Sequence, residues 1–167
     1  LRQEYFLLWR RAQGIDMGSD HFHISKVRFG LRKRKMEYRT GRHVVTSLHV
    51  HLVFVTKYRH GMLDDDALAR LCGTFTSVAE GFGAVLVECD GEKDHVHLLV
   101  EYPPTVALSR LINSMKGVGS RILLRDRPDL KAHAAKGLWS PSYFAASCGG
   151  APIEIVRNYV ANQRSAP

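Results

Sequence analysis

The chain lacks long hydrophobic runs, Cys-x-x-Cys units and low-complexity tracts. None of its apolar stretches is long enough for a bilayer-spanning helix, so no membrane role is expected. Tyr5 to Trp9 is too short for a secretory apolar core, and no small-residue cleavage site follows it. Only three cysteines occur, Cys72, Cys89 and Cys148, and none forms a Cys-x-x-Cys unit. An odd, scattered set argues against a disulfide framework or a zinc knuckle; it fits buried free thiols in a reducing cytoplasm. No internal repeat is visible. With 167 residues and 45% hydrophobic content, the chain suits one domain with a sizeable core.

Acidic residues are also in short supply. The formal net charge is +8, which points to a polyanionic partner. The excess is uneven. Residues 1–35 carry nine Lys or Arg against three acids, and the rest carries fifteen against thirteen. Residues 1–35, ending in Arg32-Lys33-Arg34-Lys35, therefore read as a basic appendage, either a nucleic-acid-binding arm or a solvated tail upstream of Met36. Residues 36–167 read as the functional domain.

Within that domain the pattern sharpens. Val44 to Thr56 predicts a long strand. Asp64-Asp65-Asp66 supplies an N-cap and an acidic first turn for a helix to about Glu80, with Leu68, Leu71, Cys72, Phe75 and Val78 on its buried face. Gly81 and Gly83 end it. Ala84 to Cys89 and His95 to Glu101 form a hairpin with Gly91 in the turn. Thr105 caps a second helix that buries Leu108, Leu111, Ile112, Met115, Val118, Ile122 and Leu123. Leu138 to Ser147 is a bent or edge strand, because Pro141 is confined to such places. Gly149-Gly150 is a joint before a last helix, Ile153 to about Gln163. This order predicts an α+β fold, an antiparallel β-sheet flanked by helices.

Three His-x-His pairs occur: His21-Phe22-His23, His49-Val50-His51 and His95-Val96-His97. The last lies on an apolar, β-branched run. Side chains alternate along a strand, so His95 and His97 share one face while Val96 enters the core. That makes a two-pronged metal site on a rigid element. Two imidazoles do not fix the metal. A third His or a nearby Glu in the usual zinc arrangement is absent, which argues against a plain hydrolytic metalloenzyme. On the last helix, Tyr159 and Gln163 are four residues apart and share a face. A tyrosine hydroxyl, with a pKa of about 10, is a weak nucleophile until a cation or base activates it. An amide oxygen one turn away could complete a ligand set.

His95-Val96-His97, preceded by Asp94, together with Tyr159 and Gln163, resembles the HUH (His-hydrophobe-His) nucleases with a single catalytic tyrosine. The chain is most similar to the single-stranded-DNA transposases of the insertion sequence 200/605 family, the TnpA type. His51 to Arg59, Leu111 to Gly117 with Ser120-Arg121, Trp139 to Phe144 and Gly149 to Glu154 all resemble stretches of that family, and the likeness runs from about His43 to Gln163. Two departures stand out: Val118-Gly119 sits where a Ser-like pair is expected, and residues 1–35 have no counterpart.

The resemblance implies a ferredoxin-like fold and a prokaryotic, cytoplasmic enzyme. It implies metal-dependent cleavage and rejoining of single-stranded DNA, mobilising an insertion sequence with hairpin ends. His95, His97 and Gln163 would hold Mg²⁺ or Mn²⁺. Tyr159 would form a 5′-phosphotyrosine and free a 3′-hydroxyl. The family is dimeric, which implies a homodimer whose active sites are shared between subunits, with Gly149-Gly150 as the hinge. It places His51 on a structural strand, outside the metal pair. Lys57, Arg59, Lys116 and Arg121 are candidate phosphate contacts, since Lys and Arg dominate such contacts. Rival readings are a repeat-hairpin-associated relative, another HUH nicking enzyme, or a non-catalytic nucleic-acid-binding module.

Overall fold

The computed structural model describes residues 39–40 and 44–147. Residues 1–35, Cys148, the Gly149-Gly150 joint and the expected last helix with Tyr159 and Gln163 lie outside the described residues. The elements run β1 (Arg39–Thr40), β2 (Val45–Thr46), β3 (His49–Val55), a 3-10 turn (Lys57–Arg59), α1 (Asp65–Gly81), β4 (Val85–Glu92), β5 (His95–Glu101), α2 (Leu108–Asp126), a second 3-10 turn (Pro128–Lys131) and β6 (Phe144–Ser147). The sheet order is β4-β5-β3-β6, with every neighbouring pair antiparallel. Helix α1 links β3 to β4 across the intervening β5, and α2 links β5 to β6. This split βαβ connectivity is ferredoxin-like, and the fold class is α+β, as the sequence predicts.

Both helices cover one face of the sheet. Val50, Leu52 and Phe54 of β3 and Val96, Leu98 and Val100 of β5 point into them, each at most 2% exposed. Leu71 and Phe75 of α1 and Leu111, Ile112 and Met115 of α2 complete the core. Phe54 meets Phe75 and Trp139 edge-on. The Asp64 side chain accepts from the Ala67 N–H at 2.8 Å, the N-cap expected of it. Among the described residues, no helix is long and apolar enough to cross a membrane.

Several expectations need correction. The strand expected from Val44 to Thr56 is two strands: β2 leaves the main sheet to pair with β1, and β3 begins at His49. Gly91 is not in the turn. It lies in β4 opposite Val96, and Lys93-Asp94 make the turn. A Cβ at Gly91 would lie 2.6 Å from the His95 carbonyl oxygen and 2.8 Å from Leu68 Cδ2, so glycine is there for close approach. Thr105 does not cap α2, which starts at Leu108 after Ala107 with no side-chain cap. Val78, Val118 and Ile122 are only half-buried; with Arg70 and Asp126 they line an open groove between the helices.

Cys72 and Cys89 are not free thiols. A disulfide joins them, with Cα atoms 5.8 Å apart, and ties α1 to β4. The pairing arises because α1 lies over β4 with Cys72 on its buried face and Cys89 pointing up from the sheet. Gly119 is also explained: a Cβ there would meet Phe75 Cε1 at 2.7 Å, so its lack of a side chain lets α1 and α2 pack.

Candidate active site on the histidine face

The second face of the sheet carries the histidine pair. His95 and His97 of β5 project from it one pleat apart, their rings perpendicular and their centroids 4.8 Å apart. His95 is 4% exposed and His97 half-buried. β5 presents them because Val96, Leu98 and Val100 claim its other side for the core, and alternation leaves the histidines no choice.

Asp94, in the hairpin turn, orients His95. Its Oδ1 lies 2.6 Å from His95 Nδ1, and Arg59 grips its other oxygen through Nε at 2.9 Å and Nη2 at 2.7 Å. Burial alone would push the Asp94 carboxyl up, but the hydrogen bonds and charges of His95 and Arg59 outweigh it and bring its pKa to about 2. An ionised carboxylate only accepts hydrogen bonds, so Nδ1 of His95 must donate. A carboxylate bound to Nδ1 of a histidine is the arrangement found behind metal ligands that coordinate through Nε2.

His97 is prepared differently. Burial first, then the neighbouring His95 and His51, push its pKa down to about 3. It is therefore neutral at pH 7, as a metal ligand must be. His51, opposite Leu99 on β3, stacks at 5.6 Å from the His97 ring. His49 is turned to structural use: it is 5% exposed, with Ser47 Oγ 3.5 Å from Nδ1 and Glu101 3.8 Å from Nε2. Glu92, opposite His95, completes a Glu92-Asp94-His95 group whose ligand atoms lie within 4.8 Å of one another. Within that group Asp94 is already held by His95 and Arg59. The donors on this rim, imidazoles beside carboxylates, could hold a divalent cation without fixing which one.

The four basic candidates do not form one patch. Arg59 meets the histidines through Asp94. Lys57 lies in the same loop, its Nζ donating to the Lys136 carbonyl at 2.7 Å. Lys116 and Arg121 stand on α2, in the layer on the sheet's other face. Arg121 is exposed. Lys116 donates to the carbonyls of Ser140, Pro141 and Ser142 at 2.7, 3.1 and 3.3 Å, and partial burial pushes its pKa down. It fastens the loop that leads into β6. The roles of Asp94 and Arg59 as a clamp were missed from sequence, although an Asp directly before the His pair was the available signal.

Together, the ferredoxin-like sheet and its histidine pair define an α+β protein with a rim of imidazoles and carboxylates on the side that is helix-free among the described elements. The family profile described as "Transposase IS200 like" matches residues 44–163, a span that includes Tyr159 and Gln163. The chain belongs to the IS200-like transposase family. It is 29% identical over 129 residues to the ISDra2 transposase TnpA of Deinococcus radiodurans, covering 77% of this chain and 92% of that one. It is 25% identical over 114 residues to the transposase for insertion sequence element IS200 of Salmonella typhimurium, covering 68% of this chain and 74% of that one. A crystal structure described as a transposase from Deinococcus radiodurans R1 superimposes with a TM-score of 0.62 at 31% identity, covering 77% of this chain and 99% of that one.

Proposed function

We propose that this transposase cleaves and rejoins single-stranded DNA through a covalent tyrosine intermediate, mobilising an insertion sequence with hairpin ends. The observation that carries the reading is the histidine pair on β5, with Asp94 bonded to His95 and with His97 held neutral, in a chain of this family. His95 and His97, with Gln163, hold Mg²⁺ or Mn²⁺; when bound, the cation stabilises charge on the scissile phosphate. Asp94 keeps His95 in the ligating tautomer. Tyr159 attacks phosphorus, the P–O3′ bond breaks, and the leaving 3′-oxygen takes up a proton. A 5′-phosphotyrosine results, so the phosphoester is conserved and a second 3′-hydroxyl can displace the tyrosine to join new ends. Arg59, Lys57 and Arg121 are candidate phosphate contacts, and Lys116 supports them indirectly by holding residues 140–142. The working form is a homodimer in the cytoplasm, with Gly149-Gly150 letting the tyrosine helix serve either subunit, and residues 1–35 an appendage to the domain that follows.

The test mixes the full chain with labelled single strands from the flanks of its gene, with and without Mn²⁺. A covalent adduct on a denaturing gel that needs the metal, and that His95→Ala and His97→Ala abolish, is the expected result. Tight binding with no adduct under any condition would favour a non-catalytic binding module.

A further inference from the structure

Tyr58 is 66% exposed, and the loop carrying it is strained. Tyr58 and Arg59 have φ of 57° and 56°, two consecutive non-glycine residues in the left-handed region. The loop is held there from several sides. The Thr56 hydroxyl lies 2.9 Å from the His60 carbonyl oxygen and 3.1 Å from that of Asp94. The backbone N–H groups of Thr56 and Lys57 donate to Asp94 and Leu138, each at 2.8 Å. Arg59 is locked onto Asp94. The core gains nothing from the ring these anchors support. Instead it is exposed, with Lys57 Nζ 5.6 Å and Lys136 Nζ 5.8 Å from its centroid and the His60 ring edge-on at 5.9 Å, on a loop that Thr56 and Arg59 anchor to Asp94 in the hairpin turn.

An exposed aromatic flanked by two cations, on a strained loop anchored to the turn before the histidine pair, has the chemistry of a single-strand binding platform. Every base offers a π-face, and the phosphates on either side of a stacked base need cations. We propose that Tyr58 stacks one unpaired base of single-stranded DNA, while the ammonium groups of Lys57 and Lys136 swing from the ring to the adjoining phosphates. The inference rests on the function proposed above and deepens it: it assigns the seat of one nucleotide near the cleaved bond. Stacking tolerates any base, so the platform positions the strand without reading its sequence.

The test measures binding of the full chain to a deoxythymidine dodecamer and to an all-abasic dodecamer of the same charge. Tyr58→Ala should lower the preference for the base-bearing strand by about 5- to 150-fold, leave abasic binding unchanged and leave the melting temperature at the wild-type value. Tyr58→Phe should keep the preference, because the hydroxyl takes no part. Lys57→Ala and Lys136→Ala should each reduce the slope of log K against log salt by about 0.7. An unchanged preference in Tyr58→Ala overturns the proposal. If the wild type forms the covalent adduct while that preference is unchanged, only the stacking platform falls. If the wild type binds neither strand and forms no adduct, the proposed function falls with it.

Discussion

Replacing Asp94 by Asn probes the clamp behind the histidine pair. The wild-type carboxyl falls from an ordinary 3.8 to about 2, because the His95 and Arg59 hydrogen bonds overcome the cost of burial. At about 1.4 kcal/mol per pKa unit, that displacement is worth roughly 2.5 kcal/mol of folded-state stability. The sign follows from the depressed folded pKa. The contribution is complete above the unfolded value of 3.8 and is lost as pH falls through about 2. The amide keeps the volume of the carboxylate but removes its charge. Asp94→Asn should therefore lose about 2 kcal/mol in urea denaturation at pH 7. The gap to wild type should narrow steadily between about pH 4 and pH 2. Because the same carboxylate orients His95, metal affinity should fall by about 10- to 100-fold. Equal stability of the two proteins at pH 7, or a gap that persists undiminished at the lowest pH, would refute the reasoning.

Three further outcomes are expected. Gly91→Ala should cost about 1–3 kcal/mol by thermal or urea denaturation, since its Cβ meets the His95 carbonyl and Leu68; wild-type stability would show that β4 can move away. The neighbouring helix glycines should diverge. Gly117→Ala has open space and should gain about 0.4–1 kcal/mol, whereas Gly119→Ala strikes Phe75 and should lose about 1–3 kcal/mol, both read from melting curves. Reducing the Cys72–Cys89 disulfide should lower unfolding stability by about 3 kcal/mol, and alkylation of the unreduced, unfolded chain should leave those two cysteines unlabelled on peptide mapping.

Much of this fold was legible because its strongest signals are local. The β-branched run after His95 defines β5 to the residue, and Asp64 caps α1 as its side chain and position suggest. The misses are places where the deciding contact is distant. Gly91 carries the mark of a turn, but its reason is the approach of His95 and Leu68 across the hairpin and from α1. Cys72 and Cys89 pair only because α1 crosses β4 at that height, which no spacing reveals. Thr105 has the chemistry of a cap, yet the turn from Pro103 to Val106 delays the helix to Leu108. At the candidate site, alternation placed His95 and His97 on one face correctly, and their chemistry was readable from residue type. The Arg59–Asp94–His95 clamp was not, because it joins the 3-10 turn after β3 to a hairpin turn 35 residues further on. Lys116 shows the converse: a basic residue with the credentials of a phosphate contact that is engaged with three backbone carbonyls.

The central claim is that a tyrosine of this chain becomes covalently joined to DNA next to the histidine pair. The most direct measurement is to trap the adduct with Mn²⁺ and a single strand from the gene's flank, digest both components, and locate the attached nucleotide by mass spectrometry. The account expects a 5′-phosphate on the peptide containing Tyr159, absent without metal. Attachment at Tyr58, which stands in the loop anchored to Asp94, or at any residue other than Tyr159, would contradict it.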